Sequence, residues 1–244
     1  MPIMDASAVI AQSRAEGRAF LDEPRAKQIL EAFGIRVPRG TVIRTRAEID
    51  RAVANLSFPV AAKIVSPDAS HKSDVGGVRL GLTTATAVRE AFDALHRAGA
   101  ERKLRIDGVL IEEMVPRGQE LVIGGIIDRR FGPVVMLGAG GIFVELFRDI
   151  VFRICPLDRI DAAEMIDDLR IAPILRGARG RDPVCEPAII ETLLSIGGEN
   201  GLLVQLQDSI SEIDINPLIV AADAAFACDA RFVLRGEVGG EAAG

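Results

Sequence analysis

The stretch FPVAAKIVSPDASHKSDVGGV, residues 58–78, joins an apolar segment to a polar loop that ends in two glycines. FPVAAKIV predicts a buried β-strand that carries Lys63, and a buried lysine is costly unless it meets an anion or reaches solvent at a sheet edge. His71 could be a ligand, a general base or a phosphoryl acceptor, or an ordinary surface histidine. Gly76 and Gly77 could let backbone N–H groups approach a phosphate, although many turns contain two glycines.

The composition narrows the classes of protein to consider. The chain has 244 residues, a hydrophobic content of 49% and a formal net charge of −6. This length allows one large domain or two lobes, and the lack of a basic excess argues against nucleic-acid binding. The longest uncharged run, FGPVVMLGAGGIFV, is too short to span a membrane. The start lacks the pattern of a secretory signal and the three cysteines form no CxxC pair, so we expect a cytoplasmic protein.

Hydrophobic periodicity predicts an α/β protein with two lobes. LDEPRAKQILEAFG and TAVREAFDALHRAG have helical spacing, and the second half of the chain is richer in strand patterns. We predict an N-terminal helical segment over residues 1–19 and a small lobe over 20–107. A large lobe then covers residues 108–235, and a flexible tail covers 236–244.

The last two predicted strands, EIDINPLIV and AFACDARFVL, form a hairpin if Val220 pairs with Ala225. Asn216 then faces Asp229, and Asp214 faces Arg231. The opposite, apolar face would hold Ile213, Ile215, Ile219, Phe226, Phe232 and Leu234. An amide oxygen and a carboxylate at this spacing suit Mg²⁺, but a solvated polar face would have the same pattern.

A second glycine-rich segment, LGAGGIF over residues 137–143, is another candidate phosphate cradle. It does not fit GxGxxG, and the chain has no GxxxxGK[ST] motif. It could equally be a bend between two strands.

Four segments occur in an order that resembles a known family: FPVAAKIVSPDASHKSDVGGV, VLIEEMVPRGQELVIGG, LGAGGIFVELFRDIVFRICPL and SEIDINPLIV. The chain resembles the ATP-grasp part, or β subunit, of ADP-forming acyl-CoA synthetases of the acetate–CoA ligase type. The similarity extends over about residues 10–234. It implies the ATP-grasp fold, in which two α/β subdomains clamp a nucleotide, with ATP or ADP and Mg²⁺ as cofactors.

The resemblance also implies which residues bind the nucleotide. Lys63 would hold the ATP phosphates from the small lobe. The strand VLIEEMV would be the hinge along the adenine, with Glu112, Glu113 and Val115 nearby. Glu120 would approach the nucleotide near its ribose.

Four further residues would serve phosphoryl transfer by the same resemblance. Asn216 and Asp229 match the magnesium ligands of the related succinyl-CoA synthetase β chain. Arg153 would place positive charge on the transferring oxygens. His71 would be a second phosphohistidine carrier at the nucleotide site, since imidazole is nucleophilic near neutral pH.

The family converts acyl-CoA, ADP and phosphate into carboxylate, CoA and ATP through phosphohistidines. Since the resemblance includes no CoA-binding domain, we expect an α partner that carries CoA-binding domains and its own phosphohistidine, in an α₂β₂ assembly. One alternative is a nucleotide-binding regulatory module, like the degenerate synthetase-like regions of some acyltransferases. Another is an ATP-grasp ligase that uses acyl phosphate without CoA. The presence of Lys63, His71, Arg153, Asn216 and Asp229 favours the enzyme subunit.

Overall fold

The computed structural model describes residues 6–68, 72, 75–141, 149–180 and 182–236. The helices are α1 Ala6–Ala15, α2 Glu23–Ala32, α3 Ile49–Val53, α4 Ala85–Glu101, α5 Arg159–Asp167, α6 Ala172–Leu175, α7 Glu186–Gly197 and α8 Leu202–Gln205, with 3₁₀ turns at Arg46–Glu48 and Ala178–Gly180. The strands are β1 Phe20–Leu21, β2 Gly40–Ile43, β3 Val60–Val65, β4 Val78–Leu82, β5 Gly108–Glu113, β6 Gln119–Asp128, β7 Gly132–Ala139, β8 Ile150–Ile154, β9 Ile210–Val220, β10 Ala225–Ala227 and β11 Ala230–Leu234. In this part of the chain, no helix combines the length and the hydropathy that a membrane crossing requires.

The small sheet has the antiparallel order β2-β5-β3-β4. One of its faces packs on α3 and α4, as the helical spacing of residues 86–99 predicts. Thr84 caps α4 by accepting a hydrogen bond from the Ala87 N–H at 3.1 Å. Val88 and Leu95 of α4 are fully buried in this core. The other face of the small sheet carries Lys63 toward the rest of the molecule.

The large sheet has the order β1-β11-β9-β6-β7-β8, and β10 also pairs with β9. Its helix face carries Ile213, Ile123, Val135 and Phe232, which pack in one core with residues of α1, α2, α5 and α7. Its open face carries a row of residues that pair with one another across neighbouring strands: Arg231, Asp214, Gly124, Met136 and Phe152. Polar side chains therefore lie at the β9–β11 side of the open face, and apolar ones at the β8 side.

The predicted lobe limits differ from the division of the strands between the sheets. β5, Gly108–Glu113, lies in the small sheet between β2 and β3, although residue 108 was the predicted start of the large lobe. Helix α2, predicted as part of the small lobe, buries Ile29 and Leu30 in the core of the large sheet. Both elements bury their apolar sides against residues that are far away in the sequence. Local sequence patterns do not reveal such partners.

The predicted hairpin register is confirmed, because Val220 pairs with Ala225 and Asp214 with Arg231. The predicted apolar face is wrong beyond residue 216, however. Leu218 and Val220 are buried there, whereas Ile219 is only partly buried. Against β6, Leu121 pairs with Leu218 and Ile123 with Ile215, so β9 has one extra residue and its side-chain alternation shifts.

Candidate nucleotide-binding site

Six charged side chains meet where the small sheet, α2 and the β10–β11 region come together. This ionic cluster consists of Glu23, Lys27, Lys63, Lys72, Glu112 and Asp229. It contains as many ammonium groups as carboxylates. The mutual pairing explains how so many ionisable groups can be buried at one place.

Lys63 lies on β3 with only 7% of the residue exposed, as the sequence predicts for a buried strand lysine. Its Nζ lies 2.8 Å from Glu23 Oε1, 2.6 Å from Glu112 Oε1 and 2.6 Å from the Cys228 carbonyl oxygen. Burial alone would lower the pKa of Lys63, but Glu23 and Glu112 outweigh this effect and raise it. An ammonium group has three donors, so Lys63 would have to exchange a present partner for a phosphate oxygen.

Glu23 is the centre of the ionic cluster. It is the first residue of α2, directly after Asp22, whose side chain caps the helix by accepting from the Arg25 N–H. Its carboxylate contacts Lys27 at 2.7 Å and also contacts Lys63 and Lys72. Burial would raise the pKa of Glu23, but the three lysines outweigh it and hold the pKa well below its usual range.

Glu112 is buried and takes part in the same cluster from β5. Its Oε2 lies 2.5 Å from Lys27 Nζ, and its Oε1 contacts Lys63. The carboxylate was predicted to lie near the adenine. It lines a cleft of about 980 Å³ together with Lys27, Val42 and Leu110, so it is shared between the ionic cluster and an open space.

Lys72 links Asp229 to the cluster. Its Nζ lies 2.7 Å from Asp229 Oδ1 and 2.9 Å from Oδ2, and it also contacts Glu23. Burial would lower the pKa of Lys72, but Glu23 and Asp229 outweigh this effect and raise it. For Asp229, burial and the negative charge of Glu23 raise the pKa more than Lys72 and Lys63 lower it. The Asp229 side chain keeps 31% of its surface exposed, so it remains open to a ligand.

Asn216 and Asp229 lie opposite each other, as the predicted register requires. The Asn216 N–H donates to the Asp229 carbonyl oxygen at 3.1 Å, and the Asn216 side chain is exposed. The chemistry of this donor set fits Mg²⁺, because a carboxylate and an amide supply hard oxygen ligands. Both oxygens of the Asp229 carboxylate already bind a cationic group, the Lys72 ammonium.

The paired glycines have different structural roles. Gly76 has a φ of +66°, a conformation that favours glycine. At Gly77 a Cβ would meet Ile64 Cγ2 at 2.8 Å, and the Gly77 N–H already donates to the Lys72 carbonyl oxygen at 2.7 Å. The Gly77 N–H, predicted to approach a phosphate, is therefore engaged within the protein.

Glu113 lies on the opposite side of the small sheet from Glu112. It follows Glu112 on β5, so it points to the opposite face of the small sheet. There its Oε1 accepts from the Ser57 N–H at 2.7 Å. Alternation along the strand separates the two neighbouring glutamates, and only Glu112 reaches the ionic cluster.

Val115 and Glu120 flank the start of β6. Val115 is half-buried just after β5, and Glu120 is exposed on β6. The Glu120 carbonyl oxygen accepts from the Gly140 N–H at 2.8 Å, and a Cβ at Gly140 would lie 2.7 Å from Glu120 Cβ. Gly140 and Gly141 of the predicted cradle thus lie against Glu120, whereas Gly138 lies against Ile150. Residues 142 and 143 lie outside the described residues.

Arg153 requires a correction. It pairs with the fully buried Val135, so its side chain lies on the helix face and not on the open face of Asp214 and Arg231. There its Nη2 lies 2.7 Å from Asp168 Oδ2. The alternation of side chains along β8 places Arg153 on the helix face. The sequence did not show that β8 lies at the edge of the large sheet, away from the ionic cluster.

Sequence reasoning missed Glu23, Lys27 and Lys72 as site residues. Glu23 and Lys27 have the i, i+4 spacing of a helical ion pair, which was the available signal. Lys72 follows His71 directly in the opening stretch. His71 itself lies outside the described residues, so its predicted position is not described.

Comparisons with known proteins identify the family and the fold. A family described as the ATP-grasp domain matches residues 12–234. The acetate–CoA ligase [ADP-forming] I subunit beta of Pyrococcus furiosus is 41% identical over 234 residues, which cover 95% of this chain and 99% of that protein. The chain belongs to the ATP-grasp family of ADP-forming acetate–CoA ligase β subunits. The predicted fold class and resemblance are therefore confirmed.

Solved structures give the same result for the ATP-grasp fold. One is a dinucleotide-forming acetyl-coenzyme A synthetase 1 of Ca. Korarchaeum cryptofilum in complex with coenzyme A, Ca-AMPCP and HgCl⁺. It matches with a TM-score of 0.90 and 37% identity over 95% of this chain and 100% of that one. Another structure of that synthetase contains coenzyme A and Mg-AMPPCP, and its phosphohistidine segment points towards the nucleotide binding site. It matches with a TM-score of 0.81 and 36% identity over the same shares.

Proposed function

We propose that this chain is the nucleotide-binding subunit of an ADP-forming acyl-CoA synthetase. It would transfer a phosphoryl group between ATP or ADP and a phosphohistidine during the conversion of acyl-CoA, ADP and phosphate into carboxylate, CoA and ATP. The observation that carries the proposal is the ionic cluster, in which Lys72 contacts Asp229 and Lys63 contacts the neighbouring Cys228 carbonyl. Asn216 lies opposite Asp229 on the adjacent strand. These cationic groups and hard oxygen ligands suit a metal–phosphate substrate.

The residues proposed to bind the nucleotide and the metal then have separate tasks. Lys63 and Lys72 would exchange carboxylate partners for phosphate oxygens, while Asn216 and Asp229 would hold Mg²⁺. When bound, Mg²⁺ neutralises negative charge on the phosphate oxygens. The base would lie in the cleft beside β2 and β5, along Glu112. The family resemblance adds Val115 and Glu120 as further nucleotide contacts.

His71 is assigned by the family resemblance as the residue that carries the phosphoryl group at this site. An imidazole nitrogen would take the phosphoryl group from the partner's phosphohistidine and give it to the terminal oxygen of ADP. The partner would be an α subunit with CoA-binding domains, where acyl-CoA and phosphate first give acyl phosphate and free CoA. The relatives named as β subunits support the need for such a partner.

The alternative of a regulatory module is less well supported. A module that has lost catalysis would not need to keep these groups, yet Lys63 contacts the carbonyl of Cys228, next to Asp229, and Asn216 lies opposite Asp229. The matched proteins of similar length are named as ligase subunits.

The test combines the purified chain with its α partner, acetyl-CoA, ADP, phosphate and Mg²⁺, and measures ATP formation. We expect ATP from the pair and little from either subunit alone. Asp229→Asn should lower turnover by about a hundredfold or more, since it weakens binding of the cation that stabilises the transferring group. His71→Ala should abolish it. Arg176→Gln, which removes an exposed arginine that pairs with Glu186 and Asp167, is the control. Full activity of Asp229→Asn would refute the proposed site.

A further inference from the structure

The Lys72 ammonium contacts both carboxylate oxygens of Asp229, the candidate metal ligand. Its Nζ lies within 2.7 and 2.9 Å of the two carboxylate oxygens, so one ammonium group engages both of them. The Lys72 side chain is 12% exposed, which means that this contact is largely shielded from water. An exposed ion pair contributes little, whereas an ion pair that is shielded from water and has two short hydrogen bonds is stronger.

We propose that the Lys72 ammonium is a built-in stand-in for the divalent cation, and that it must leave Asp229 before the cation binds. This inference rests on the proposed function, because it takes Asp229 as a metal ligand. Mg²⁺ binds carboxylate oxygens at about 2.0–2.1 Å. At that distance it would lie close to an ammonium that contacts the same two oxygens, and the repulsion between the charges opposes binding of both at once.

Lys72 has a second anionic partner ready when it leaves. Its Nζ also contacts Glu23, which is buried and shared with Lys27 and Lys63. The displaced ammonium would therefore stay paired, and the movement needs no new carboxylate. Mg²⁺ can thus replace the Lys72 ammonium at Asp229 without leaving the buried ammonium unpaired.

The charge balance of the cluster predicts how metal and nucleotide binding are coupled. Its three lysines and three carboxylates compensate each other without a metal. A divalent cation added alone would make the cluster strongly positive. The same cation added with a polyphosphate brings its own negative charge, so we expect the metal to bind weakly alone and tightly with nucleotide.

The experiment titrates the full chain, without nucleotide, with Mn²⁺ and measures the free ion by electron paramagnetic resonance. Lys72→Met should bind Mn²⁺ about tenfold more tightly than the wild type, which corresponds to a moderate coupling free energy. Lys72→Arg keeps the charge and should bind like the wild type. Lys27→Met is the matched control, because it removes one ammonium from the same cluster without a contact to Asp229. Thermal unfolding would confirm that each variant is folded, and Lys72→Gln provides a second variant at the position.

Two outcomes separate this inference from the proposed function. Equal Mn²⁺ affinities of Lys72→Met and Lys27→Met would overturn the stand-in role, since only total charge would matter. The Asp229→Asn substitution in the Lys72→Met background should abolish the tight binding. If Mn²⁺, with and without ADP, bound equally well after Asp229→Asn, the metal site of the proposed function would itself be wrong.

Discussion

At the residue scale, Glu23 is the side chain on which the site depends most. One carboxylate, 2% exposed, contacts Lys27, Lys63 and Lys72, and these lysines come from three separate parts of the chain. Its place at the first turn of α2 also suits a negative charge, because the helix dipole is positive there. Loss of its charge would leave buried ammonium groups with too few anions.

We therefore expect Glu23→Gln to lower the free energy of unfolding by about 3–5 kcal/mol at neutral pH, the cost of breaking a buried ion pair from one side. Urea unfolding followed by circular dichroism would measure it. Glu31→Gln, on the exposed side of the same helix, should change stability by less than about 0.5 kcal/mol. Similar losses in the two variants would contradict the central role of Glu23.

The difference in unfolding free energy between the wild type and Glu23→Gln should depend on pH. The lysines lower the pKa of folded Glu23 below its value of about 4.3 in the unfolded chain. Its contribution to stability is therefore present above about pH 4.3 and is lost as the pH falls through the folded pKa. The stability difference between wild type and Glu23→Gln should shrink between neutral pH and roughly pH 3. A constant difference from neutral pH to roughly pH 3 would mean that folding does not lower the pKa of Glu23.

At the scale of the elements, β9 organises the large sheet. It pairs with β6 on one side and with β10 and β11 on the other. The extra residue near Asn216 shifts its alternation, so the strand can present Asp214 and Asn216 on the open face and then bury Leu218 and Val220. The metal-binding candidate therefore lies where the strand changes its buried side.

Two phenylalanines on opposite faces of the large sheet, Phe232 of β11 and Phe152 of β8, provide a matched test. Phe232 is fully buried on the helix face, where it pairs with Leu21 and Ile213, whereas Phe152 of β8 is 54% exposed. Phe232→Ala should lower the free energy of unfolding by about 3–5 kcal/mol, because it leaves a cavity. Phe152→Ala should change it by about 0.5 kcal/mol or less. Chemical denaturation would measure both values, and equal costs would contradict the assignment of the faces.

At the scale of the whole molecule, ion pairs and hydrogen bonds join the two sheets across the site. Lys63 of the small sheet donates to the carbonyl of Cys228, which lies between β10 and β11 of the large sheet. Lys27 of α2, which packs on the large sheet, contacts Glu112 of the small one. A nucleotide with its metal could replace these polar contacts between the sheets by other polar contacts.

The three cysteines report on this packing. Burial raises the pKa of Cys155 and of Cys228 to about 11, whereas Cys185 is partly exposed before α7. Since the thiolate is the reactive form, iodoacetamide at pH 8 should modify Cys185 first. Cys155 and Cys228 should react roughly a hundred times more slowly than an ordinary exposed thiol. Peptide mass spectrometry would give the order, and similar rates at all three in the folded protein would contradict it. Denatured protein, in which all three should react alike, is the control.

Much of the fold could be predicted from local patterns. The helical spacing of α2 and α4, the buried strand of Lys63 and the register of the last hairpin depend on side-chain periodicity and turn length, which the sequence carries directly. Family resemblance added the fold class. Glu23, Lys27 and Lys72 were not predicted as partners of Lys63 and Asp229, because no local pattern encodes contacts between residues so far apart in the chain.

The sequence by itself determined the periodicity of the helices and strands, the pairing of Asn216 with Asp229, and the presence of a lysine in an apolar strand. These follow from interactions between near neighbours along the chain. Only the tertiary structure decided that Glu23 contacts three lysines, that Arg153 points to the helix face, and that Lys72 contacts the Asp229 carboxylate. The physical reason is that burying a charge is costly unless an opposite charge lies beside it, and packing of the two sheets determines which charges become neighbours.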